Sequence, residues 1–142
     1  MEIVINEMSF QDLDSMDLNS FDDFWNYNIL REEILNTSSF CIVAKSENDI
    51  VGFAGLKFLL DEAHLANIVT RKDKRNLGIG TKMLDTLMKK ANSTSTLITL
   101  EVNENNSPAI HLYEKFGFEK LGTRKKYYKN EFDAYIMTKH FN

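Results

Sequence analysis

The feature that most constrains this chain is a short glycine loop, Arg75-Asn76-Leu77-Gly78-Ile79-Gly80. It follows an apolar run typical of a strand, Leu65 to Val69, and precedes a strong helical pattern, Thr81 to Ala91. Two glycines one residue apart allow the backbone to turn tightly and to expose consecutive N–H groups. Since a helix begins at the same point, its positive end and its unpaired N–H groups face the same place. A strand, a glycine loop and a helix N-terminus in this order predict an anion site suited to phosphate.

Composition sets the broad class of the protein. With 142 residues, 43% of them hydrophobic and 27% charged, the chain is predicted to be one globular domain, residues 1–142. The formal net charge of −4 argues against broad binding to nucleic acid or to a membrane surface. No apolar stretch approaches the ~20 residues that a membrane-spanning helix needs. The N-terminus carries no signal-like segment, so we expect a cytoplasmic location.

Other reactive side chains and glycine motifs point to no competing chemistry. The single cysteine, Cys41, lies in an apolar run and is interpreted as a small buried hydrophobe rather than a nucleophile. A dinucleotide-binding loop would carry a third glycine where Met83 stands, and no P-loop Gly-Lys-Ser or Gly-Lys-Thr triplet occurs. No metal site is predicted, because the three histidines are scattered without ligand spacing: His64, His111 and His140.

Apolar periodicity divides the chain into alternating strands and helices. A first strand, Glu2 to Glu7, precedes a short helix with Ser9 as its N-cap and Asp12 three residues on. The remaining elements are predicted as one or two helices over Phe21 to Leu35, strands Phe40 to Lys45, Ile50 to Leu60 and His64 to Thr70, a helix Thr81 to Ala91, a strand Thr96 to Val102, a helix Pro108 to Phe116, and strands Phe118 to Tyr128 and Ala134 to Lys139. This order predicts an α/β (α+β) domain with helices on both faces of a sheet.

A family resemblance rests on the glycine loop and on one later segment. The loop resembles the acyl-CoA pyrophosphate loop of the GNAT N-acetyltransferases, Gln/Arg-x-x-Gly-x-Gly/Ala. The second GNAT signature is similar to Leu100-Glu101-Val102, Asn106, Ala109-Ile110, Leu112-Tyr113-Glu114-Lys115 and Gly117-Phe118. Further similarity, to the RimI-type ribosomal-protein-alanine N-acetyltransferases, lies at Asp61-Glu62-Ala63, Asn67-Ile68, Arg124, Tyr127-Tyr128 and Asp133-Ala134. The resemblance implies the GNAT fold, a central mixed, mostly antiparallel twisted sheet, and acetyl-CoA as co-substrate without a metal.

The resemblance also implies roles for individual residues. Main-chain groups of Ile68, Val69 and Thr70 would pair with the pantetheine arm, as an added strand does at a sheet edge. N–H groups between Asn76 and Thr81 would hold the pyrophosphate. The implied cofactor-binding residues are Ile68, Val69, Thr70, Arg75, Asn76, Leu77, Gly78, Ile79, Gly80, Thr81 and Asn106. Glu101 would act as the general base, and Tyr113 as the general acid that protonates the departing thiolate of CoA.

A terminal amine suits this pair of groups better than a lysine does. An α-amine has a pKa of about 7.7–8.0 and a lysine about 10.4, so much more of the α-amine is neutral near pH 7.4. A carboxylate such as Glu101, acting directly or through one water, suffices for such an amine. A phenol such as that of Tyr113 can protonate a thiolate without itself being ionised at neutral pH. The expected acceptor is therefore a protein N-terminus, with a ribosomal protein as the one implied by the resemblance.

Departures from the RimI-type pattern fall around the acceptor groove. The pattern has Pro before its tryptophan and Ser after it, whereas this chain has Phe24-Trp25-Asn26. Near the end it has Glu-Asp-Ala, where this chain has Phe132-Asp133-Ala134. We expect Trp25, Tyr127 and Asp133 to contact the acceptor, although the aromatic residues around Trp25 also fit a plain core role. Two alternatives remain open: a small-molecule amine, such as a polyamine or an antibiotic, and a non-catalytic acyl-CoA sensor. A monomer or weak dimer is expected.

Overall fold

The computed structural model describes residues 2–21, 26–128 and 132–142, with the backbone alone for 126–128. Within them, seven strands form one sheet in the order β1-β2-β3-β4-β5-β7-β6. The strands are β1 (Val4–Glu7), β2 (Ser39–Ser46), β3 (Asp49–Leu59), β4 (Glu62–Thr70), β5 (Leu97–Asn103), β6 (Glu119–Tyr128) and β7 (Phe132–His140). The helices are α1 (Phe10–Ser15), α2 (Tyr27–Leu35), α3 (Ile79–Thr94) and α4 (Ser107–Lys115), with short 3-10 turns at Leu18–Ser20 and Lys72–Lys74.

The sheet is mostly antiparallel, and helices cover both of its faces. Only β4 and β5 run parallel among the described strand pairs. Alternate residues of β2 serve two separate cores: Ile42 packs with α3, whereas Val43 packs with Leu13 of α1 and Leu30 of α2. The predicted fold class is confirmed. No helix in the described part of the chain is long and apolar enough to cross a membrane.

Local sequence signals explain several of these elements. Ser9 and Asp12 form a capping box at α1: the Ser9 hydroxyl accepts from the Asp12 N–H at 3.1 Å, and the Asp12 carboxylate accepts from the Ser9 N–H at 2.9 Å. The hairpin between β2 and β3 turns through Glu47 and Asn48, which have φ of 51° and 75°. Gly117 ends α4 with φ of 91°, as expected of a C-terminal glycine.

Some predicted boundaries are wrong by a few residues. The long central helix begins at Ile79 rather than Thr81 and extends to Thr94, because Gly78 in the left-handed region serves as its N-cap. The helical stretch predicted from Phe21 is shorter, since α2 begins at Tyr27 after an Asn26 cap. Phe21 instead lies in the core, with its ring centroid 5.1 Å from that of Phe53.

The centre of the sheet opens between β4 and β5. These strands pair over three residues each, Glu62–His64 with Leu97–Thr99. Beyond that point β4 continues beside β3 to Thr70, while β5 continues beside β7 to Asn103. The β3–β4 register also shifts so that Ala66 has no partner in β3, a bulge that bends the strand. The two strands therefore diverge and leave a gap in the middle of the sheet.

Candidate active site

A cavity of about 550 Å³ lies on the α3 and α4 side of this gap. Its walls are the end of β4, the glycine loop, the start of α3 and one face of α4. The lining residues are Ile68, Val69, Thr70, Lys74, Arg75, Asn76, Gly78, Ile79, Gly80, Thr81, Asn106, Pro108, Ala109, Leu112 and Tyr113. Ten of the eleven residues predicted to bind the cofactor are among them; Leu77 is not, and its side chain is 55% exposed.

The glycine loop has the backbone geometry of an anion site. Asn76 and Gly78 both adopt left-handed conformations, with φ of 64° and 82°. Gly78 is the N-cap of α3 and offers no side chain to cap the helix. The first N–H groups of an α-helix have no intrahelical partner, so those of α3 are directed toward the cavity. Arg75 fixes the loop against β4, since its Nε donates to the Thr70 carbonyl at 3.3 Å.

Helix α4 supplies the opposite wall of the same cavity. Asn106 caps this helix, because its side-chain oxygen accepts from the Ala109 N–H at 3.3 Å. Any donation from Asn106 to a ligand therefore falls to its amide nitrogen. Tyr113 is 6% exposed, and its ring meets the edge of Phe118 with the centroids 5.6 Å apart. This packing fixes the direction of the Tyr113 side chain along the cavity wall.

A second cavity, of about 530 Å³, lies on the α2 side of the sheet. Glu101 lines it because β5 alternates: its neighbours Leu100 and Val102 belong to the buried core beneath α3 and α4. The lining residues are Glu33, Lys57, His64, Leu65, Ala66, Asn67, Thr99, Leu100, Glu101 and Ile136. We call it the acceptor-side cavity, and the first one the loop cavity.

One carboxylate oxygen of Glu101 is tied down and the other is not. Oε1 accepts from Nη2 of Arg124 at 2.8 Å, an ion pair in which Arg124 is about half exposed. Oε2 is fully buried and has no hydrogen-bond partner among the described residues. Arg124 thus holds the Glu101 carboxylate in one orientation, and Oε2 is the oxygen that this ion pair leaves without a partner.

The two cavities approach each other across the gap between β4 and β5. Residues His64 to Asn67 of β4 line the acceptor-side cavity, and Ile68 to Thr70, directly after them, line the loop cavity. Glu101 and Tyr113 thus belong to opposite sides of one opening rather than to one cavity. Such an arrangement can bring two substrates together from opposite faces of the sheet.

Comparison with known proteins identifies this architecture. The model of the acetyltransferase (GNAT) family matches residues 6–118. The chain belongs to the GNAT family. The predicted family and its acetyltransferase class are thereby confirmed.

Individual relatives of this GNAT protein carry more specific names. A Bacillus subtilis protein, provisionally named a ribosomal protein bS18-alanine N-acetyltransferase, is 29% identical over 143 residues, which cover 94% of this chain and 92% of the relative. An N-alpha-acetyltransferase of Sulfurisphaera tokodaii is 40% identical over 91 residues, but the match spans only 54% of that protein and 61% of this chain. The crystal structure of the ribosomal-protein-S18-alanine N-acetyltransferase from Escherichia coli has a TM-score of 0.89 at 25% identity, covering 99% of this chain and 95% of that one.

Of the three residues expected to contact the acceptor, only Asp133 has a described side chain. Trp25 and the side chain of Tyr127 lie outside the described residues. Asp133 lines neither cavity: its carboxylate pairs with Nζ of Lys125 at 3.3 Å, and its carbonyl accepts from the Glu104 N–H at 3.0 Å. Its predicted contact with the acceptor stays a prediction.

Several residues of the acceptor-side cavity had no role in the sequence prediction. Glu33 of α2 and Lys57 of β3 form an ion pair at 2.9 Å, and Nε2 of His64 lies 3.2 Å from the Glu62 carboxylate. Asn67 is 9% exposed in the middle of β4. Two signals were available for Asn67: it is a polar residue inside the apolar run of β4, and it belongs to the Asn67-Ile68 similarity. The Glu33–Lys57 pair joins distant segments and had no signal.

Proposed function

We propose that this GNAT protein transfers an acetyl group from acetyl-CoA to the α-amine of a protein N-terminus, with a ribosomal protein as acceptor. One observation carries the proposal: the loop cavity, beside the N-terminus of α3, and the cavity lined by Glu101 approach each other at the gap between β4 and β5. The names of the full-length Bacillus subtilis relative and of the Escherichia coli structure support the choice of acceptor.

Acetyl-CoA fits the loop cavity by the chemistry of its donors. Uncapped N–H groups at the start of α3 and the left-handed residues Asn76 and Gly78 suit a pyrophosphate. Beyond His64, the edge of β4 that faces β5 has no ladder partner among the described strands. An extended chain with amide groups, such as pantetheine, can pair with such an edge as an added strand. Its thioester end would then reach the gap, close to both cavities.

The reaction requires one proton acceptor and one proton donor. In our proposal the neutral amine attacks the thioester carbonyl directly, the new C–N bond forms and the C–S bond breaks. Oε2 of Glu101 takes the proton that the amine loses, directly or through one water. The Tyr113 hydroxyl gives a proton to the departing sulfur from the loop-cavity side. Holding both substrates across the gap supplies a further part of the rate through orientation.

Acetyl transfer to defined acceptors tests this proposal. We expect transfer to a peptide with a free N-terminal alanine from a ribosomal protein, and much weaker transfer to a panel of polyamines and aminoglycosides. Preference for the small amines would contradict the proposed acceptor. Binding of acetyl-CoA without transfer to any amine would favour a sensor over an enzyme.

Two substitutions test the proposed residue roles. Glu101→Gln and Tyr113→Phe should each lower kcat by roughly 10²- to 10⁴-fold, the usual contribution of general acid–base catalysis. Acetyl-CoA affinity, measured by calorimetry, should change little for Glu101→Gln, since Glu101 lies outside the loop cavity. Glu114→Gln is the matched control, because Glu114 is exposed on α4 directly after Tyr113. A kcat within threefold of wild type for either variant would remove that residue from the mechanism.

A further inference from the structure

One ion pair forms part of the wall of the acceptor-side cavity. Glu33 of α2 and Lys57 of β3 both line this cavity, and Nζ of Lys57 lies 2.9 Å from Oε1 of Glu33. The Glu33 side chain is only 14% exposed, and its second oxygen accepts from the Ser39 hydroxyl at 3.5 Å. The Lys57 side chain, by contrast, is 52% exposed. The Glu33 carboxylate is therefore engaged within the protein, whereas the Lys57 ammonium remains open to the cavity.

The Lys57 ammonium has more donors than its partner uses. A lysine ammonium carries three N–H bonds, and among the described residues only Glu33 pairs with that of Lys57. An exposed lysine normally moves on its flexible four-carbon stem, but a counter-ion on a helix restricts where the ammonium can lie. Lys57 thus presents N–H donors at a defined place on the cavity wall.

Strand register places Lys57 near the gap between β4 and β5. Lys57 pairs with His64 of β4, and His64 pairs with Thr99 of β5. Directly opposed residues share a face of the sheet, and neighbouring strands lie about 4.8 Å apart. His64 is the last residue of β4 that pairs with β5, so the row from Lys57 to Thr99 crosses the sheet where the gap begins. An extended peptide advances about 3.3 Å per residue, so an acceptor with its amine in the gap can bring its first or second carbonyl over this row.

The charges around the cavity favour a neutral ligand group over an anion. The charge of Lys57 is balanced by Glu33 at 2.9 Å, and that of Glu101 by Arg124 at 2.8 Å. With these charges cancelled in pairs, little net attraction for an anion is left, but the directional N–H bonds of Lys57 remain. A peptide carbonyl is a neutral hydrogen-bond acceptor that every protein N-terminus carries close to its amine. A polyamine has no such group.

We propose that Lys57, held by Glu33, donates a hydrogen bond to a backbone carbonyl within the first two residues of the acceptor. The contact fixes the chain that follows the amine and so directs the amine toward the gap. This inference rests on the proposed function and deepens it, because the contact distinguishes a protein N-terminus from a small amine without a carbonyl. Lys57 acts on binding of the acceptor and takes no part in proton transfer.

The test removes the donor and the carbonyl separately and together. The parent acceptor is a peptide with N-terminal alanine, and two analogues carry an (E)-alkene in place of its first or its second peptide bond, which keeps the extended shape without the carbonyl. In Lys57→Met, KM for the parent should rise about 5- to 20-fold, the effect of losing one hydrogen bond from a charged donor. The kcat should stay within threefold, because the ground state and the transition state lose the same contact. For one of the two analogues, Lys57→Met should change KM less than twofold. Since each acceptor is compared with itself in two proteins, differences in amine basicity cancel.

Further variants guard against a folding artefact. Lys57→Met leaves the mostly buried Glu33 carboxylate without its counter-ion, so the double variant Glu33→Gln/Lys57→Met removes that charge as well. It should show the same raised KM for the parent as Lys57→Met. Lys89→Met is the matched control, because Lys89 pairs with Asp85 at 3.0 Å on α3 and lines neither cavity. Its KM should match wild type, and the acetyl-CoA affinity should stay within threefold in all variants.

Distinct outcomes separate this inference from the proposed function. An unchanged KM for the parent in Lys57→Met, or an equal rise for the parent and both analogues, overturns the carbonyl contact while transfer by wild type stays intact. A wild-type KM in the double variant overturns it too, because the effect then comes from the isolated Glu33 charge. If wild type acetylates none of the peptides, calorimetric binding of the same acceptors to the CoA-loaded protein replaces KM. Weaker binding of the parent by Lys57→Met, with one analogue unaffected, then supports the contact while the proposed function fails, and absence of peptide binding to wild type overturns both.

Discussion

Two glycines of the loop should respond in opposite ways to the same added methyl group. Gly78 has φ of 82°, and no atom lies within 4 Å of a Cβ placed on it. Gly80 has no positive φ, and its Cβ would meet only Leu112 and Thr70 atoms at 4.0 Å. Steric crowding is therefore absent at both positions. The expected difference between Gly78→Ala and Gly80→Ala therefore comes from backbone conformation and not from steric contact.

The strain at Gly78 has a known scale. An alanine in the left-handed region costs roughly 1–2 kcal/mol, whereas a glycine can adopt it freely. Gly80 is the second residue of α3, where alanine in place of glycine gains up to about 1 kcal/mol. If the loop of Gly78→Ala keeps its conformation, the strain lowers the free energy of unfolding. If the loop relaxes in the free protein, the cofactor must restore its conformation and the acetyl-CoA affinity falls instead. In either case the loss of stability and the loss of binding free energy together come to ~1–2 kcal/mol.

The assay must measure both quantities. Urea unfolding gives the stability of the free protein, calorimetry gives the acetyl-CoA affinity, and unfolding at saturating acetyl-CoA reports their sum. For Gly78→Ala we expect the combined loss to equal about a 5- to 30-fold change in an equilibrium constant. For Gly80→Ala we expect equal or higher stability and an affinity within threefold of wild type, in keeping with the Gly/Ala choice in the family pattern. If ligand-saturated Gly78→Ala is as stable as wild type, the left-handed turn is not required; if Gly80→Ala is the more damaging change, the loop geometry described above is wrong.

Two further predictions concern groups outside the cavities. Burial would raise the pKa of the Asp12 carboxyl, but the ion pair with Lys45 at 2.9 Å and the hydrogen bonds of Ser9 outweigh it, so its pKa lies below 3.8. Because this folded-state pKa is depressed, the stability it contributes is present above pH ~4 and is lost as the pH falls further. Urea unfolding should thus show Asp12→Ala to be about 1–2 kcal/mol less stable than wild type at pH 7, with a smaller difference near pH 3. As a control, replacing the exposed Asp85 in Asp85→Ala should cost under ~0.5 kcal/mol of stability at either pH. Burial raises the pKa of the Cys41 thiol to about 11, so a thiol reagent at pH 8 should modify the native protein only as fast as it unfolds, and rapid modification without urea would refute that burial.

The parts of the fold that sequence could predict are those encoded by neighbouring residues. The capping pair Ser9 and Asp12 and the hairpin turn at Glu47 and Asn48 each depend on residues within a few positions of one another. The residues that line the loop cavity also lie close together in sequence, apart from those of α4 and its N-cap. Its backbone donors come from one short segment, so an anion site could be predicted there before any family was considered.

The gap between β4 and β5 could not be predicted from local pattern. It depends on β5 pairing with β4 over only three residues while it pairs with β7 along its whole length, and on a bulge at Ala66 that apolar periodicity does not reveal. The ion pair of Glu101 with Arg124 also depends on how the strands are arranged in the sheet, because the two residues lie on different strands. The sequence predicted Glu101 to be a base through a resemblance, but only the structure shows which of its oxygens pairs with Arg124 and which has no hydrogen-bond partner among the described residues.

The two cavities present different kinds of atoms, so a substitution has different consequences in each. Much of the loop cavity presents backbone N–H and C=O groups, which most substitutions leave in place. The acceptor-side cavity presents side chains, among them Glu33, Lys57, Asn67 and Glu101, from four different elements. A substitution there alters charge or hydrogen bonding without moving the strand edge or the start of α3. With the roles proposed here for the two cavities, choice of acceptor can diverge among proteins of this fold while the cofactor site stays the same, and a search for the acceptor of this protein should begin with the side chains around Glu101 rather than with the loop.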